Sequence, residues 1–405
     1  MDFVSFSLNY WDDLWQSRHQ IMLSLAQNHK VLFVSPPFPL PDVLRNLRTK
    51  HLPKSGLVHR EGNLYTLVFS KWLFETYRYP WLEKIMWSLR RAVVRRTIAK
   101  LGFRDTVLFI WHPRYSELVG ALGETLSCYY VDDEFSSYAQ TTDVENQRIR
   151  SQEDSLLRRA AVVFANGPAL LKEKNRYGNA ISVPMTADFE LFSRSRLKET
   201  VVPQDMERIP HPRILYVGNI NDKVDFQLLG QLSSDCPDRS FVLVGPINIR
   251  SAEIKLQFNS FQSRPNAFIL GGKPREELPN YIKGADVCLM CYRKDGWAFY
   301  VYPLKLHEYL ASGKPVIGSD LMSLRDFKGV IRIAVTPREW VAAIQASLAE
   351  EDPAFAAQRV QVAYENRLET RIAAIEAALE EKLKGKNGRE SSGARTGREV
   401  HAKKT

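Results

Sequence analysis

Runs of four to six apolar residues recur along the chain at spacings that leave room for a helix between them. In the N-terminal half the spacing predicts strands at 3–8, 30–35, 106–111, 126–131, 161–166 and 180–183. Helices fall between them around 21–26, 149–159 and 168–176. In the C-terminal half, strands are expected at 213–218, 241–246, 267–272, 285–292, 315–318 and 330–335. Helices are expected at 225–232, 275–283, 303–313, 337–349, 353–363 and 365–383. Short continuous apolar runs alternating with helical periods indicate parallel sheets covered on both faces. The fold class is therefore α/β, with two parallel-sheet domains, because one core rarely grows beyond about 250–300 residues.

The segment that frames the rest is 302–318, Tyr-Pro-Leu-Lys-Leu-His-Glu-Tyr-Leu-Ala-Ser-Gly-Lys-Pro-Val-Ile-Gly. Pro303 suits a first helical turn, where its missing N–H would be unpaired anyway, and Gly313 with Pro315 suits the end. Lys305 and Glu308, three residues apart, share one face. Free N–H groups at such a helix start suit phosphate, Lys305 adds positive charge, and Glu308 can accept hydrogen bonds from a ribose diol. An ordinary surface helix with the same caps is the plain alternative.

The run from His307 to Ile317 resembles the donor-site signature of nucleotide-sugar-dependent glycosyltransferases of the GT-B fold, the family-4 type in particular. The resemblance implies two Rossmann-like domains facing a cleft, with a C-terminal helix packing back on the N-domain. It assigns the ribose to Glu308 and the diphosphate to the preceding loop and helix start, Tyr302, Pro303, Leu304 and Lys305. It also implies retention of anomeric configuration, and no metal motif is evident, so a metal-independent reaction is expected. Weaker family features surround this core. Gly218 and Lys223 lie in the loop after the first strand of the second domain, where relatives carry an Arg and Lys clamp for the departing diphosphate, but Asn219 occupies the Arg position. Gly271, Gly272 and 274–278 resemble the segment that meets the base. The family pairs two Glu residues seven positions apart, and Tyr300 stands at the first of these positions, leaving the sugar contact open; Asp295 is nearby but out of register.

On the acceptor side, polar residues at predicted strand ends are the candidates. His112 follows the strand at 106–111. Asp132 and Asp133 follow the strand at 126–131, in a Tyr-Tyr-Val-Asp-Asp-Glu stretch similar to one in polysaccharide-assembling relatives of the teichuronic-acid type. Strand-end polar residues also act simply as caps. Trp15, Arg18 and His19, at the start of the first helix, could face an acceptor or be merely solvated. The catalytic candidates are His112, Asp133, Lys223 and Lys305.

Residues 71–104 combine aromatic and basic side chains. Leu82, Ile85, Met86, Leu89 and Val93 recur at helical spacing, while Lys84, Arg91 and Arg95 share another face, with Arg90, Arg96 and Lys100 nearby. This composition resembles helices that lie on anionic membranes, and the family often reaches lipid-linked acceptors this way. A helix packed on its own sheet with a basic outer face is the alternative.

Composition narrows the choice further. The formal charge of +10 arises largely from residues 382–405, with eight Lys or Arg against two Glu, leaving +4 for the rest. That favours a solvated tail over nucleic-acid binding, and 385–405 is expected to be disordered. Cys128, Cys236, Cys288 and Cys291 are too scattered for a disulfide framework. Cys288 and Cys291 have metal spacing but lie on one predicted strand, where residues three apart face opposite sides. No apolar run reaches the ~18 residues that span a bilayer, and no secretory pattern opens the chain, so a cytoplasmic location, at most at the inner membrane face, is expected.

The expected domains are 1–190 on the acceptor side, 191–350 for the nucleotide sugar, helices at 351–384, and the tail. The expected function is transfer of a sugar from a nucleotide diphosphate sugar to a saccharide or lipid-linked acceptor during surface-polysaccharide assembly. A catalytically silent nucleotide-binding scaffold and a nucleotide-sugar epimerase of the same plan are the alternatives.

Overall fold

The structure is a computed structural model that describes residues 1–13, 16–46, 53–76, 78–137, 142–294 and 299–399, without the side chains of 46 and 387–399. Trp15 and Asp295 lie outside the described residues. The chain forms two compact units. The first comprises 1–166, 170–183 and 372–405, and the second comprises 167–169 and 184–371.

The first unit is built on eight strands, β1 (Asp2–Phe6), β2 (Val31–Val34), β3 (Gly56–His59), β4 (Leu64–Val68), β5 (Thr106–Ile110), β6 (Leu126–Val131), β7 (Val162–Ala165) and β8 (Ala180–Ser182). Their order is β3-β4-β2-β1-β5-β6-β7-β8, parallel except for the β3–β4 edge pair. β5 and β6 are buried along their whole length, because helices cover both faces of a parallel sheet. The chain builds outward from β1 on one side and then returns to add β5 on the other. This reversal opens a crevice at the carboxyl ends of β1 and β5.

The second unit repeats the plan with β9 (Arg213–Val217), β10 (Ile220–Asn221), β11 (Ser240–Val244), β12 (Ile247–Asn248), β13 (Ala267–Gly271), β14 (Val287–Met290), β15 (Val316–Ser319) and β16 (Arg332–Ala334). Six of these form an all-parallel sheet in the order β13-β11-β9-β14-β15-β16, with the reversal between β9 and β14. β10 and β12 form a small parallel ribbon beyond the ends of β9 and β11. Cys288 is buried in β14, and burial pushes its thiol up to about 12, so it holds its proton at neutral pH. From Ile372 the last helix, Leu368–Glu399, belongs to the first unit, where Ile372, Ile375 and Leu379 are buried and Glu376 meets His29 at 2.9 Å.

Helix Pro80–Leu101 departs from its sequence reading. It starts at Pro80 and stops at the left-handed Gly102, and its core side is Arg90, Val94 and Thr97. Arg90, expected among outward bases, is 1% exposed; it pairs with Glu83 and donates to the Phe74 carbonyl at 2.8 Å. Ile85 and Leu89 of the apolar stripe face out instead, 48% and 46% exposed, as does Trp81 at 65%.

One charged cluster is fully interior to the first unit. Lys174 Nζ donates to Glu153 Oε2 at 2.7 Å and pairs with Glu134, while Tyr129 Oη donates to Glu153 Oε1 at 2.9 Å. One ammonium cannot balance two carboxylates, and Glu153 is the one pushed toward its protonated form, chiefly by burial. Lys174→Met leaves buried carboxylates unpaired and is expected to cost about 3–5 kcal/mol in urea unfolding, whereas Glu153→Gln should change stability by less than about 1 kcal/mol.

Candidate functional site

The second unit's reversal point holds the residues the sequence singled out. Helix Lys305–Ser312 opens after Pro303 and closes at Gly313 with φ +74°. The N–H groups of Leu306, His307 and Glu308 bond to carbonyls of Pro303 and Leu304, which leaves those of Leu304 and Lys305 without a protein partner among the described residues. Two donors and a partial positive charge therefore stand at the helix start.

Lys305 runs from this turn across the end of β9. Its ammonium lies 5.1 Å from the Tyr216 ring centroid and 6.0 Å from that of Tyr292, so aromatic faces from the ends of β9 and β14 hold it. Gly218 makes the passage possible. A Cβ there would stand 2.2 Å from Lys305 Cε, and φ is +134°. Gly245 serves the neighbouring loop in the same way, because a Cβ on it would stand 1.9 Å from the Gly218 carbonyl oxygen. Tyr309, from the helix's second turn, accepts the Val217 N–H at 2.7 Å and so ties the helix to the end of β9. The helix start and the glycine loop form one locked assembly.

Glu308 is half-buried and has no hydrogen-bond partner among the described residues. Desolvation raises its pKa, while Lys305 and Arg275 pull it back. A carboxylate with unused acceptors beside a cation suits a diol. Arg275, which meets Asp188 at 3.3 Å, is a cation the sequence reading did not single out; its place in the 274–278 segment was the available signal. Tyr309, Tyr216 and Tyr292 were also missed, since apolar periodicity reads all three as core.

Other expected residues have different surroundings. Asn219 is engaged, its Oδ1 accepting from Asn248 Nδ2 at 2.8 Å beside the β10–β12 ribbon. The Lys223 backbone is fixed on both sides, by Asn221 Oδ1 at 3.2 Å and by the Arg293 N–H at 2.8 Å. Gly272 lies against Pro246. Tyr302, expected at the ligand, is 7% exposed with its hydroxyl 2.9 Å from His307 Nε2.

In the first unit, polar groups gather at the ends of β1, β5 and β6. Arg18 meets Asp132 at 2.9 Å and Ser7 Oγ at 3.3 Å. Burial lifts Asp132 to about 6, with Arg18 opposing the shift. His112 accepts the Arg114 N–H on Nδ1 at 3.2 Å and packs on Phe135. Burial, helped by Arg18 and Arg148, lowers its pKa to about 3, so the imidazole is neutral at pH 7 with its proton on Nε2. Asp133 accepts the Glu134 N–H at 2.9 Å. His19 does not face outward; it is fully buried, accepting the Gln16 N–H and stacking on Phe33, because Trp11 and Phe33 offer it an aromatic pocket. His112, Asp132 and Asp133 belong to the first unit, and Gly218, Asn219, Lys223, Gly272 and 302–308 to the second.

The fold, with this loop-and-helix site at the reversal of its second sheet, is that of the GT-B glycosyltransferases. Residues 211–350 match the family described as Glycosyl transferases group 1. Over 181 residues the chain is 29% identical to TuaH of Bacillus subtilis (strain 168), whose name describes a teichuronic acid biosynthesis glycosyltransferase. That match covers 43% of this chain and 44% of the relative, so the chain matches less than half of that protein's length. Among solved structures, a trehalose-6-phosphate protein from E. coli bound with UDP-2-fluoro glucose superposes with TM-score 0.67 at 12% identity, covering 94% of this chain and 99% of that one. Sucrose-phosphate synthase from Thermosynechococcus elongatus gives 0.63 at 17%, covering 97% and 100%.

Gly218→Ala should displace Lys305 and weaken UDP or GDP binding at least about tenfold in calorimetry, the order expected for loss of a charged hydrogen-bond donor. Unchanged affinity in a folded variant would contradict the assigned path of Lys305.

Proposed function

We propose that the protein is a glycosyltransferase that moves a sugar from a nucleotide diphosphate sugar to a saccharide or lipid-linked acceptor in surface-polysaccharide biosynthesis. The observation that carries the reading is the pairing of Lys305 and the free helix-start N–H groups with the unpartnered Glu308 at the reversal point of the second sheet. As the glycosidic bond breaks, the leaving nucleoside diphosphate gains negative charge. A fixed ammonium and oriented N–H groups stabilise that charge more than they stabilise the intact donor, which is what lowers a barrier. Lys305, held by two tyrosines, occupies the role that relatives give to an Arg at the Asn219 position. With this cation in place the reading needs no metal, and leaving-group stabilisation of this kind suits transfer with retention. The neutral His112 and the Arg18–Asp132 pair are the acceptor-side candidates, suited to binding sugar hydroxyls.

The acceptor reading extends to the cytoplasmic face of a membrane. Trp81, Ile85 and Leu89 are exposed at successive turns of helix Pro80–Leu101, with exposed Lys84, Arg95, Arg96 and Lys100 on the same helix. Trp72 and Tyr79 are 66% and 42% exposed, and Lys71 and Arg78 lie against their rings. Apolar side chains rimmed by bases suit an anionic lipid surface rather than a neutral one. Among the described residues no helix is long and apolar enough to cross a membrane.

The test has two arms. UDP- and GDP-sugars incubated with a polyprenyl-phosphate-linked saccharide should release nucleoside diphosphate and lengthen the acceptor in EDTA, and Lys305→Ala should abolish both. In flotation, the protein should bind vesicles containing phosphatidylglycerol but not pure phosphatidylcholine, and Trp81→Glu with Leu89→Glu should remove the binding. Nucleotide binding without turnover on any donor would contradict transfer, and equal flotation with both lipids, or with neither, would contradict the membrane reading.

A further inference from the structure

Lys305 and Glu308 occupy one face of helix Lys305–Ser312, and His307 lies roughly 200° around the helix from Lys305. It is buried, 1% exposed, among positions otherwise filled by Leu306, Tyr309, Leu310 and Ala311. A histidine is a costly choice there, because its Nδ1 is buried without a hydrogen-bond partner, a penalty that leucine would not carry. Its other nitrogen, Nε2, is 2.9 Å from the Tyr302 hydroxyl, and the two rings stack with centroids 5.7 Å apart. Burial drives His307 to about 3, with Arg371 pushing the same way, so the ring is neutral and the contact is an ordinary hydrogen bond.

Tyr302 in turn is seated from behind. It directly precedes Pro303, and its ring rests on Gly167, where a Cβ would stand 2.9 Å from Tyr302 Cδ2 and 3.3 Å from its Cβ. Gly167 has φ +101° and, with 168–169, belongs to the second unit although the flanking chain belongs to the first. Tyr302, just ahead of the helix, is thus fixed by its ring on a bare glycine backbone and by its hydroxyl on His307 in the helix's own first turn.

We propose that Tyr302 and His307 are positioning residues of the donor site, bracing the first turn of helix Lys305–Ser312 from its back face so that Lys305 clears Gly218 and the Leu304 and Lys305 N–H groups face the diphosphate. The inference rests on the donor-site reading above and assigns these two residues no contact with the ligand. A turn without this brace can rotate, and then the ammonium and the two N–H groups no longer converge. The consequence is a loss of nucleotide affinity that does not pass through loss of folding.

The experiment is calorimetric titration of UDP and GDP into the full chain, wild type against Tyr302→Phe, His307→Leu and His307→Gln, with melting temperatures measured alongside. Tyr302→Phe keeps the ring on Gly167 and removes only the hydroxyl. It should weaken binding about five- to tenfold, as should His307→Leu, the scale of one hydrogen bond of positioning. His307→Leu removes the unpaired nitrogen but also strips the buried Tyr302 hydroxyl of its partner, so the two effects oppose and its melting temperature should stay near that of the wild type. His307→Gln, whose amide can still meet the Tyr302 hydroxyl, should bind nearer to wild type. Wild-type affinity in both Tyr302→Phe and His307→Leu would overturn the proposal while leaving the donor site intact. So would an affinity loss that tracks melting temperature across the three variants. Failure of the wild type itself to bind either nucleotide would overturn the donor-site reading and this inference together.

Discussion

The site depends on a close approach, the stem of Lys305 crossing the backbone at Gly218 where β9 ends. A parallel sheet that reverses its building direction opens a crevice at one place, and a helix start delivered there brings oriented N–H groups with it. A lysine in the first turn adds a full charge, but only if its side chain can pass the neighbouring strand end. That passage requires two residues without side chains, Gly218 and, behind it, Gly245, together with the Tyr216 and Tyr292 rings to hold the ammonium. Tyr309 then closes the assembly by accepting the Val217 N–H.

The same geometry draws the positive charge at this loop from the helix rather than from the loop itself. Asn219 is tied to Asn248 and offers no charge, so the positive potential comes from Lys305, with Arg275 also acting on Glu308. In the first unit the balance is different. Arg18 is committed to Asp132, and His112 is neutral, so that edge presents hydrogen-bonding groups rather than free charge. Charge thus gathers at the strand ends of the second unit and a more nearly neutral, hydrogen-bonding edge at those of the first, the division on which the proposed donor and acceptor roles rest.

Much of this was legible in the chain. Strands such as Val107 to Ile110 and Val162 to Ala165 are unbroken apolar runs because a parallel sheet is covered on both faces, and the Pro303 and Gly313 caps bracket the key helix as their backbone preferences demand. The β3–β4 edge pair was not read, since Gly56 to His59 is short and half exposed. Periodicity also could not say which side of helix Pro80–Leu101 faces the core. Arg90 goes inward because Glu83 and the Phe74 carbonyl, fixed by the fold, receive it, and Ile85 and Leu89 are left outside. Tyr302 and Tyr309 mark the same limit, because their hydroxyls are consumed by partners that apolar periodicity does not name.

The central claim is that the start of helix Lys305–Ser312 binds a nucleoside diphosphate through its ribose and phosphates. Titration of wild type and Glu308→Ala with UDP and GDP by calorimetry tests it most directly. Loss of hydrogen bonds to a charged group should weaken binding by about 1.5–3 kcal/mol, roughly ten- to over a hundredfold, for whichever nucleotide the wild type prefers. Equal affinity in a folded Glu308→Ala variant, or no binding of either nucleotide by the wild type, would contradict the account.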